Sequence, residues 1–458
     1  MVDERPDPFE KMRCQMNNDV QTVASSAMSK WPSNLGTYAR IKPHTWKFAL
    51  LFAYFAMVVD GIDIMLLSYS LTSLRAEFGL STFQAGALGS ASLAGMGIGG
   101  ILGGWACDKY GRVRTIAHSV TFFSIATCLL GFTQSFEQFM SLRFIGALGI
   151  GALYMACNTL MAEYVPTSYR TTVLGTLQTG QTVGYIVATL LAGAIIPEHG
   201  WRILFFITVI PAAINIVLQR FVPEPKSWQL TKMKSLTPQT QQVIATQPQP
   251  QPQPKSQSIY QQIFANFKHR KMFLLWMTTA FFLQFGYYGI NNWMPSYLET
   301  EVNMNFKSLT SYMVGSYTAM ILGKILAGYL ADKFNRRAIF VFGTLASAIF
   351  LPIIIFFNTP DNILYLLITF GFLYGIPYGV NATYMAESFS TDVRGTAIGG
   401  AYNIGRVGAA IAPATIGFLA SGGTFAMAFI VMGAAYFIAG VLPGLFIRDR
   451  QYDPQQSS

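Results

Sequence analysis

Charged residues are rare inside the long apolar segments of this chain, and the few that occur there suit proton or anion binding. They are Asp60, Asp63, Arg143, Lys324 and Arg406. A charge at the centre of a bilayer costs about 2.5–3.5 kcal/mol on insertion scales, so charged residues at that depth are functional by default. We therefore expect these five side chains to face an internal cavity.

Asp60 and Asp63 are three residues apart, a spacing that places both on one face of a helix. Two close carboxylates in a low-dielectric interior favour a proton on one of them. The pair is therefore predicted to couple transport to protons. The alternative is a buried structural ion pair with Arg143, which could involve one aspartate while the other carries the proton.

Arg406 follows Gly405 and precedes Gly408 in its segment. A guanidinium holds a carboxylate through two parallel hydrogen bonds, so Arg406 is predicted to bind a substrate anion. It could instead neutralise one of the aspartates. Arg143 and Lys324 are further candidates for anion binding, although the Lys324 amine could extend towards the cytoplasmic face.

The segment near 271–296 carries polar and aromatic side chains and ends beside Pro295. Tyr287 and Asn291 are predicted cavity residues, because aromatic rings and amides suit a planar, unsaturated ligand. The alternative is an interfacial aromatic belt, which is the expected role of Trp293. Further binding candidates on other segments are Gln178, Gln181 and Asn381.

Composition indicates the elements that must position these residues. Of 458 residues, 52% are hydrophobic and 11% are charged, against about 25% charged in soluble domains. A membrane span needs about 20 apolar residues. The expected fold is therefore an all-α polytopic membrane protein with twelve transmembrane helices, predicted near 46–71, 85–107, 114–134, 138–161, 171–195, 203–222, 271–296, 310–331, 338–357, 362–386, 395–420 and 425–447.

The segment between the sixth and seventh helices is polar, and prolines alternate with glutamines over 248–254. This pattern predicts an extended spacer, with a docking site as the alternative. The expected organisation is a cytoplasmic tail (1–45), an N-terminal six-helix half (46–222), a cytoplasmic linker (223–270), a C-terminal six-helix half (271–447) and a cytoplasmic tail (448–458).

The lysines and arginines predict the orientation. Most of the 31 fall before the first helix, in the linker or in alternate loops, which places both termini in the cytoplasm of a bacterial-type inner membrane. The net charge of +10 reflects these loops, so no nucleic-acid partner is expected. The four cysteines form no metal or disulfide pattern.

The two halves repeat one sequence pattern. Gly104, Asp108 and Lys109 recur 224 residues later as Gly328, Asp332 and Lys333, and Glu163 and Arg170 recur as Glu387 and Arg394. One constant offset implies two copies of a six-helix unit, as in rocking transporters. None of the five intramembrane charges has an equivalent of its kind, so these charges should serve the specific task.

The repeated loop charges are predicted to form ion pairs that make and break during gating. The alternative is that they only fix topology. The predicted gating residues are Asp108, Lys109, Arg112, Glu163 and Arg170 in the first half, and Asp332, Lys333, Arg336, Glu387 and Arg394 in the second.

The segment Gly104–Arg114 resembles the loop signature of the major facilitator superfamily, and the resemblance covers about 46–447. The second copy departs from the signature at Asn335. Asp60-Gly61-Ile62-Asp63 resembles the DGxD element of the aromatic acid–proton symporters, and Gly405–Gly408 is similar to that family and to nicotinate transporters. The resemblance implies a monomeric carrier without cofactor, whose partners are lipid, protons and a small anion of the benzoate, hydroxybenzoate, muconate or nicotinate type.

Other classes lack their usual signals. A drug or metabolite–proton antiporter usually has a Gly-Pro-rich element in helix 5, and the stretch 175–184 contains no proline. A transporter-like sensor would usually carry an added soluble domain. An enzyme is not expected, since the sequence shows no nucleotide loop, metal cluster or catalytic constellation.

Overall fold

The structure is a computed structural model that describes residues 45–165, 170–225, 228–229, 232, 259–390, 393–422 and 424–449. Within these ranges, twelve helices are long and apolar enough to cross a membrane. The predicted all-helical, twelve-span fold is therefore confirmed. The N-terminal tail, the Pro–Gln stretch of the linker and the end of the C-terminal tail lie outside the described residues.

The spans are numbered in chain order, and a short helix, Ile259–Ala265, precedes α7. The sixth span contains the helices Trp201–Phe206 and Val209–Leu218 and a 3₁₀ turn. The bounds are α1 Thr45–Phe78, α2 Thr82–Tyr110, α3 Arg112–Leu130, α4 Phe136–Tyr164, α5 Arg170–His199, α6 Trp201–Phe221, α7 Phe267–Thr300, α8 Phe306–Lys333, α9 Arg336–Phe357, α10 Ile363–Glu387, α11 Arg394–Ala420 and α12 Ala426–Phe446.

The junction of α1 and α2 shows why the helices run longer than hydropathy predicts. α1 continues past residue 71 because Leu74 still packs in the core. α2 begins at Thr82 because Ser81 and Gln84 form a reciprocal capping box, with hydrogen bonds of 3.2 and 2.9 Å. Such a box satisfies two backbone donors that the helix itself leaves unpaired.

Glycines let helices touch at equivalent places in the two halves. A Cβ atom built on Gly99 would lie 2.0 Å from the carbonyl oxygen of Leu148, and one built on Gly323 would lie 2.1 Å from that of Phe372. Both residues of the second contact follow those of the first by 224. Close backbone approach through small residues is the usual packing in membranes, so the sequence repeat is also a packing repeat.

Two helix pairs join the halves: α2 packs on α11, and α5 packs on α8. We call the end of the bundle where α1 begins the terminal face, and the end where α1 finishes the far face. Near the far face, Thr72 Oγ1 donates to Ser296 Oγ at 3.5 Å, and the Ala414 N–H donates to Ser90 Oγ at 3.0 Å. The halves are therefore in contact at the far face.

The glycine contacts predict a stability difference between neighbouring positions of α2. Gly99→Ala should lower the free energy of unfolding by about 1–3 kcal/mol, the usual range for overpacking, because the added methyl meets the α4 backbone. Gly97→Ala is the matched control, since nothing lies within 4 Å of its added methyl. Thermal unfolding of the purified proteins measures both, and equal midpoints would contradict the packing described.

Candidate functional site

Asp60 and Asp63 both lie midway along α1, and both residues are buried. They reach different neighbours despite their spacing. The Asp60 carboxylate accepts a hydrogen bond of 3.0 Å from Gln181 Nε2 on α5, whereas Asp63 turns to α3 and α4. The two aspartates therefore have separate environments, and each can have its own role.

Asp63 is held in an ion pair with Arg143. Arg143 Nη1 lies 2.7 Å from Asp63 Oδ2, its Nε donates to Ser92 Oγ at 2.9 Å, and Thr127 Oγ1 donates to the other carboxylate oxygen of Asp63. Of the two interpretations open from the sequence, the geometry of Asp63 matches the buried structural pair. Because the Arg143 guanidinium already has a counter-charge, this arrangement gives no support to substrate binding by Arg143.

Asp60 is less fully satisfied. Its Oδ2 accepts from Gln181, but its Oδ1 is buried and has no hydrogen-bond partner among the described residues. The carboxyl also interacts electrostatically with Asp63, Arg143 and Arg406. An oxygen without a donor in a buried site is available to a proton.

Arg406 on α11 is a buried cation that forms no ion pair among the described residues. It is 8% exposed, Nη1 has no hydrogen-bond partner, and no ion pair joins it to a described carboxylate. Its guanidinium carbon lies 5.2 Å from the ring of Tyr154 and 5.8 Å from that of Tyr402. The aromatic faces stabilise the cation partly and leave its remaining hydrogen-bonding capacity for a ligand.

Gln178 supports this arrangement indirectly. Its Nε2 donates to the Tyr154 hydroxyl at 3.1 Å and to Asn158 Oδ1 at 3.2 Å. The amide therefore orients the ring beneath Arg406. Gln178 and Gln181, predicted as binding residues, thus contact Tyr154 and Asp60 respectively in this structure.

The side chain of Lys324, on α8, contacts the N-terminal half. Its Nζ donates to Thr182 Oγ1 of α5 at 2.8 Å, and Thr182 is fully buried. The lysine backbone packs closely against Gly375 and Gly379 of α10. No ion pair joins Lys324 to a described carboxylate, so a second cation between the halves lacks a counter-charge.

The polar-aromatic face of α7 is buried. The Tyr287 ring stacks on Tyr374 at 5.4 Å, its hydroxyl donates to that of Tyr185 at 3.3 Å, and Asn291 Nδ2 donates to the Tyr374 hydroxyl at 2.7 Å. The expectation that Trp293 belongs to an interfacial belt is wrong. Its side chain is fully buried and donates to the Pro413 carbonyl at 2.9 Å, because α7 and α11 pack at this level.

A small cavity of about 20 Å³, room for about one water molecule, lies between the halves. α1, α2, α4 and α7 contribute to its walls, and Arg143, Asn291 and Asn292 are among the lining residues. Asn292 is buried, and its Nδ2 has no hydrogen-bond partner among the described residues. Asn381, another predicted binding residue, is partly buried on α10 and makes no hydrogen bond with a described residue.

At the terminal face the loop charges pair within their own halves. Arg112 lies 3.4 Å from Asp108 and 2.8 Å from Glu163. Arg336 is placed equivalently, 3.0 Å from Asp332 and in contact with Glu387. One arginine thus joins the loop to the end of the fourth helix of each half.

The other predicted gating residues take separate positions. The Lys109 amine lies 4.6 Å from the centre of the Trp105 ring, and that of Lys333 lies 5.9 Å from the centre of the Tyr329 ring. Arg394 Nε donates to the Phe389 carbonyl at 3.2 Å. The side chain of Arg170 is outside the described part of the chain, so its expected pairing with Glu163 is not tested.

Glu224, just after α6, is a structural acid that sequence reasoning missed. Its carboxylate accepts hydrogen bonds of 2.7, 3.1 and 3.0 Å from the first three backbone N–H groups of α3. Such capping compensates the positive end of the helix dipole, although burial raises the pKa of the carboxyl. The signal was an acid between prolines directly after an apolar span.

The capping also explains the departure of the second loop at Asn335. Gly111 has φ of +104°, a conformation that glycine adopts readily, and the Glu224 carboxylate covers the start of α3. In the second half, the Asn335 side chain itself accepts from the Ala338 N–H at 2.8 Å, and Asp449 accepts from the Arg337 N–H. Asn335 therefore caps the start of α9 in part, as Glu224 caps the start of α3 in the first half.

The two buried arginines predict opposite effects on stability. Arg143→Ala should lower the free energy of unfolding by about 3–5 kcal/mol, because it leaves Asp63 as an uncompensated buried charge. Arg406→Ala removes a cation that forms no ion pair among the described residues, so its unfolding midpoint should stay near that of the parent or rise. Thermal unfolding in detergent compares the two variants, and a larger loss for Arg406→Ala would contradict the assignment of the pairs.

Known proteins resemble this chain over most of its length. The cis,cis-muconate transport protein of Acinetobacter baylyi (strain ATCC 33305 / BD413 / ADP1) is 64% identical over 92% of this chain and 98% of its own. The benzoate transport protein of the same strain is 28% identical over 84% and 85%. The inward open structure of the xylose transporter XylE from E. coli matches with a TM-score of 0.71 at 19% identity, covering 88% of this chain and 97% of its own.

The sequence profile described as Major Facilitator Superfamily matches residues 53–317 and 307–458. These matches agree with the twelve helices and with the repeated packing contacts of the two halves. The relatives are transport proteins, as the absence of a catalytic constellation in the sequence led us to expect. This multi-pass membrane protein belongs to the Major Facilitator Superfamily.

Proposed function

We propose that the protein imports a small unsaturated carboxylate of the muconate type together with protons. The observation that carries this proposal is the buried Arg406, which lies between the halves and forms no ion pair with a carboxylate of the described residues. The 64% identity to a muconate transport protein supports the substrate class. The carrier works as a monomer in a bacterial-type inner membrane.

The anion-binding step follows from the chemistry of Arg406. A guanidinium presents N–H groups in a planar fork that fits a carboxylate, and Nη1 of Arg406 has no hydrogen-bond partner among the described residues. The rings of Tyr154 and Tyr402 flank the guanidinium and offer apolar faces to a flat, conjugated chain. Tyr287 and Asn291 lie further along the same interior, and Asn291 and Asn292 supply cavity-lining amides.

The proton step follows from the electrostatic coupling of Arg406 to Asp60. A positive guanidinium in the same low-dielectric interior favours the ionised form of a carboxyl such as that of Asp60. When a substrate carboxylate neutralises Arg406, that stabilisation is lost and Asp60 binds a proton more readily. Linkage is reciprocal, so a proton on Asp60 also favours binding of the anion. Anion and proton therefore travel together, while the Asp63–Arg143 pair holds α1 against α4.

The conformational cycle exposes this site to each side in turn. Following the distribution of basic residues, the terminal face and both termini are cytoplasmic. The Asp108 and Asp332 side chains at this face are 82% and 73% exposed, whereas the halves touch at the far face. We assign the ion pairs around Arg112 and Arg336 to gating, because they join each loop to the fourth helix of its half.

Uptake measurements test the proton step. In cells, labelled cis,cis-muconate should accumulate, and a protonophore should abolish the accumulation. Asp60→Asn should lose proton-driven accumulation and retain part of the exchange of internal for external substrate, since exchange needs no net proton movement. Asp361→Asn, in an exposed loop, is the control. Full accumulation by a correctly inserted Asp60→Asn protein would remove Asp60 from the proposal.

Binding measurements test the anion step. Arg406→Lys keeps the positive charge but loses the two parallel hydrogen bonds that a guanidinium makes to a carboxylate. Affinity for muconate should therefore fall by about 10- to 150-fold, the equivalent of roughly 1.5–3 kcal/mol. The uncharged diamide of muconate should bind poorly to the parent and lose little further in the variant. If the acid and the amide lost affinity equally, Arg406 would serve only to neutralise an aspartate.

A further inference from the structure

The two uncompensated cations of the C-terminal half occupy related places in the repeat. By the 224-residue offset, Lys324 corresponds to Gly100 and Arg406 corresponds to Thr182. In the structure Lys324 contacts Thr182 at 2.8 Å. Arg406 approaches Gly100, where an added Cβ would lie 3.4 Å from Nη1. The contact between Lys324 and Thr182 is therefore equivalent, by the repeat, to the contact between Gly100 and Arg406. Each of the two contacts contains one cation.

This relation fixes how the cations lie relative to each other. The halves of such carriers are related by an axis along the membrane normal, and equivalent contacts lie at equal depth on opposite sides of it. One contact joins α8 to α5, and the other joins α11 to α2. Lys324 and Arg406 therefore lie at the same level across the central space. Asp60 is close to this level, since Gln181, its hydrogen-bond partner, precedes Thr182.

The charges at this level do not balance among the described residues. Neither cation forms an ion pair with a described carboxylate, and cations in such a place need a partner. A monocarboxylate can neutralise one of them. A linear molecule with a carboxylate at each end can neutralise both, since its ends point to opposite sides of the space. Muconate is such a molecule, a six-carbon diene with two terminal carboxylates.

We infer that Lys324 binds the second carboxylate of a linear dicarboxylate and so selects dicarboxylates over monocarboxylates. The inference rests on the proposed function, because Arg406 must hold the first carboxylate. An ammonium has three N–H donors, so Lys324 can keep its bond to Thr182 and still donate to the substrate. Its amine is directed across to α5, which differs from an extension towards the cytoplasmic face.

Matched ligands that differ by one charge test the inference. The affinities of the purified protein for cis,cis-muconate and for its monomethyl ester are measured for the parent and for Lys324→Gln. The parent should prefer the dianion by about 10- to 100-fold, the worth of a hydrogen bond between charged groups. In Lys324→Gln the preference should nearly vanish through loss of muconate affinity, while the affinity for the ester changes little. Lys324→Arg should retain most of the preference.

Two control variants separate recognition from structure. Thr182→Val removes the tie between α8 and α5 and keeps the charge, so it should preserve the preference for the dianion. Lys307→Gln, on an exposed site, should behave as the parent. Equal loss for both ligands in Lys324→Gln, or loss of the preference in Thr182→Val, would overturn the role of Lys324. A parent that binds both ligands equally would overturn it too, whereas a parent that binds neither would overturn the proposed function itself.

Discussion

A charge in a low-dielectric interior needs a counter-charge, and this requirement determines how the charged residues of the protein are arranged. Asp63 and Arg143 meet the requirement between themselves and hold α1 against α4. Arg406 and Lys324 have no such partner among the described residues. Since buried, unpaired cations are unfavourable, the protein keeps them at the expense of stability. An arrangement of this kind is reasonable where an anionic substrate supplies the missing charge during each cycle.

The packing of the helices makes this charge arrangement possible. Glycines bring α2 onto α4 and α8 onto α10 through contacts related by the repeat, such as Gly99–Leu148 and Gly323–Phe372. Each half can then move as one body, because its helices touch through backbone rather than through flexible side chains. The two cations extend from the second half to the first, and motion of one half against the other changes their surroundings.

The sequence predicted much of this architecture, because an apolar run shows a span and a constant offset shows a repeat. Asp60, Asp63 and Arg406 were visible for a related reason, as a charge inside an apolar run is conspicuous. Which aspartate would pair with Arg143 was left open. Arg143 and Asp63 are 80 residues apart, and only helix packing decides which aspartate the arginine meets.

Residues of ordinary type could not be identified from the sequence. Tyr154 and Thr182 resemble many other residues of apolar helices, and their roles depend on the cations that face them from the other half. Trp293 was assigned to the interface because tryptophan is common there, yet packing against α11 buries it. Glu224 acts on α3, more than a hundred residues earlier, and propensity within one segment carries no information about such a contact.

The central claim is that the substrate carboxylate and a proton bind together because Arg406 links them. Calorimetric titration of the purified protein with muconate, in buffers of different ionisation enthalpy, measures the protons taken up on binding. The account predicts net proton uptake on muconate binding in the parent and none in Asp60→Asn. Equal proton uptake by the two proteins, or binding by the parent without proton uptake, would contradict it.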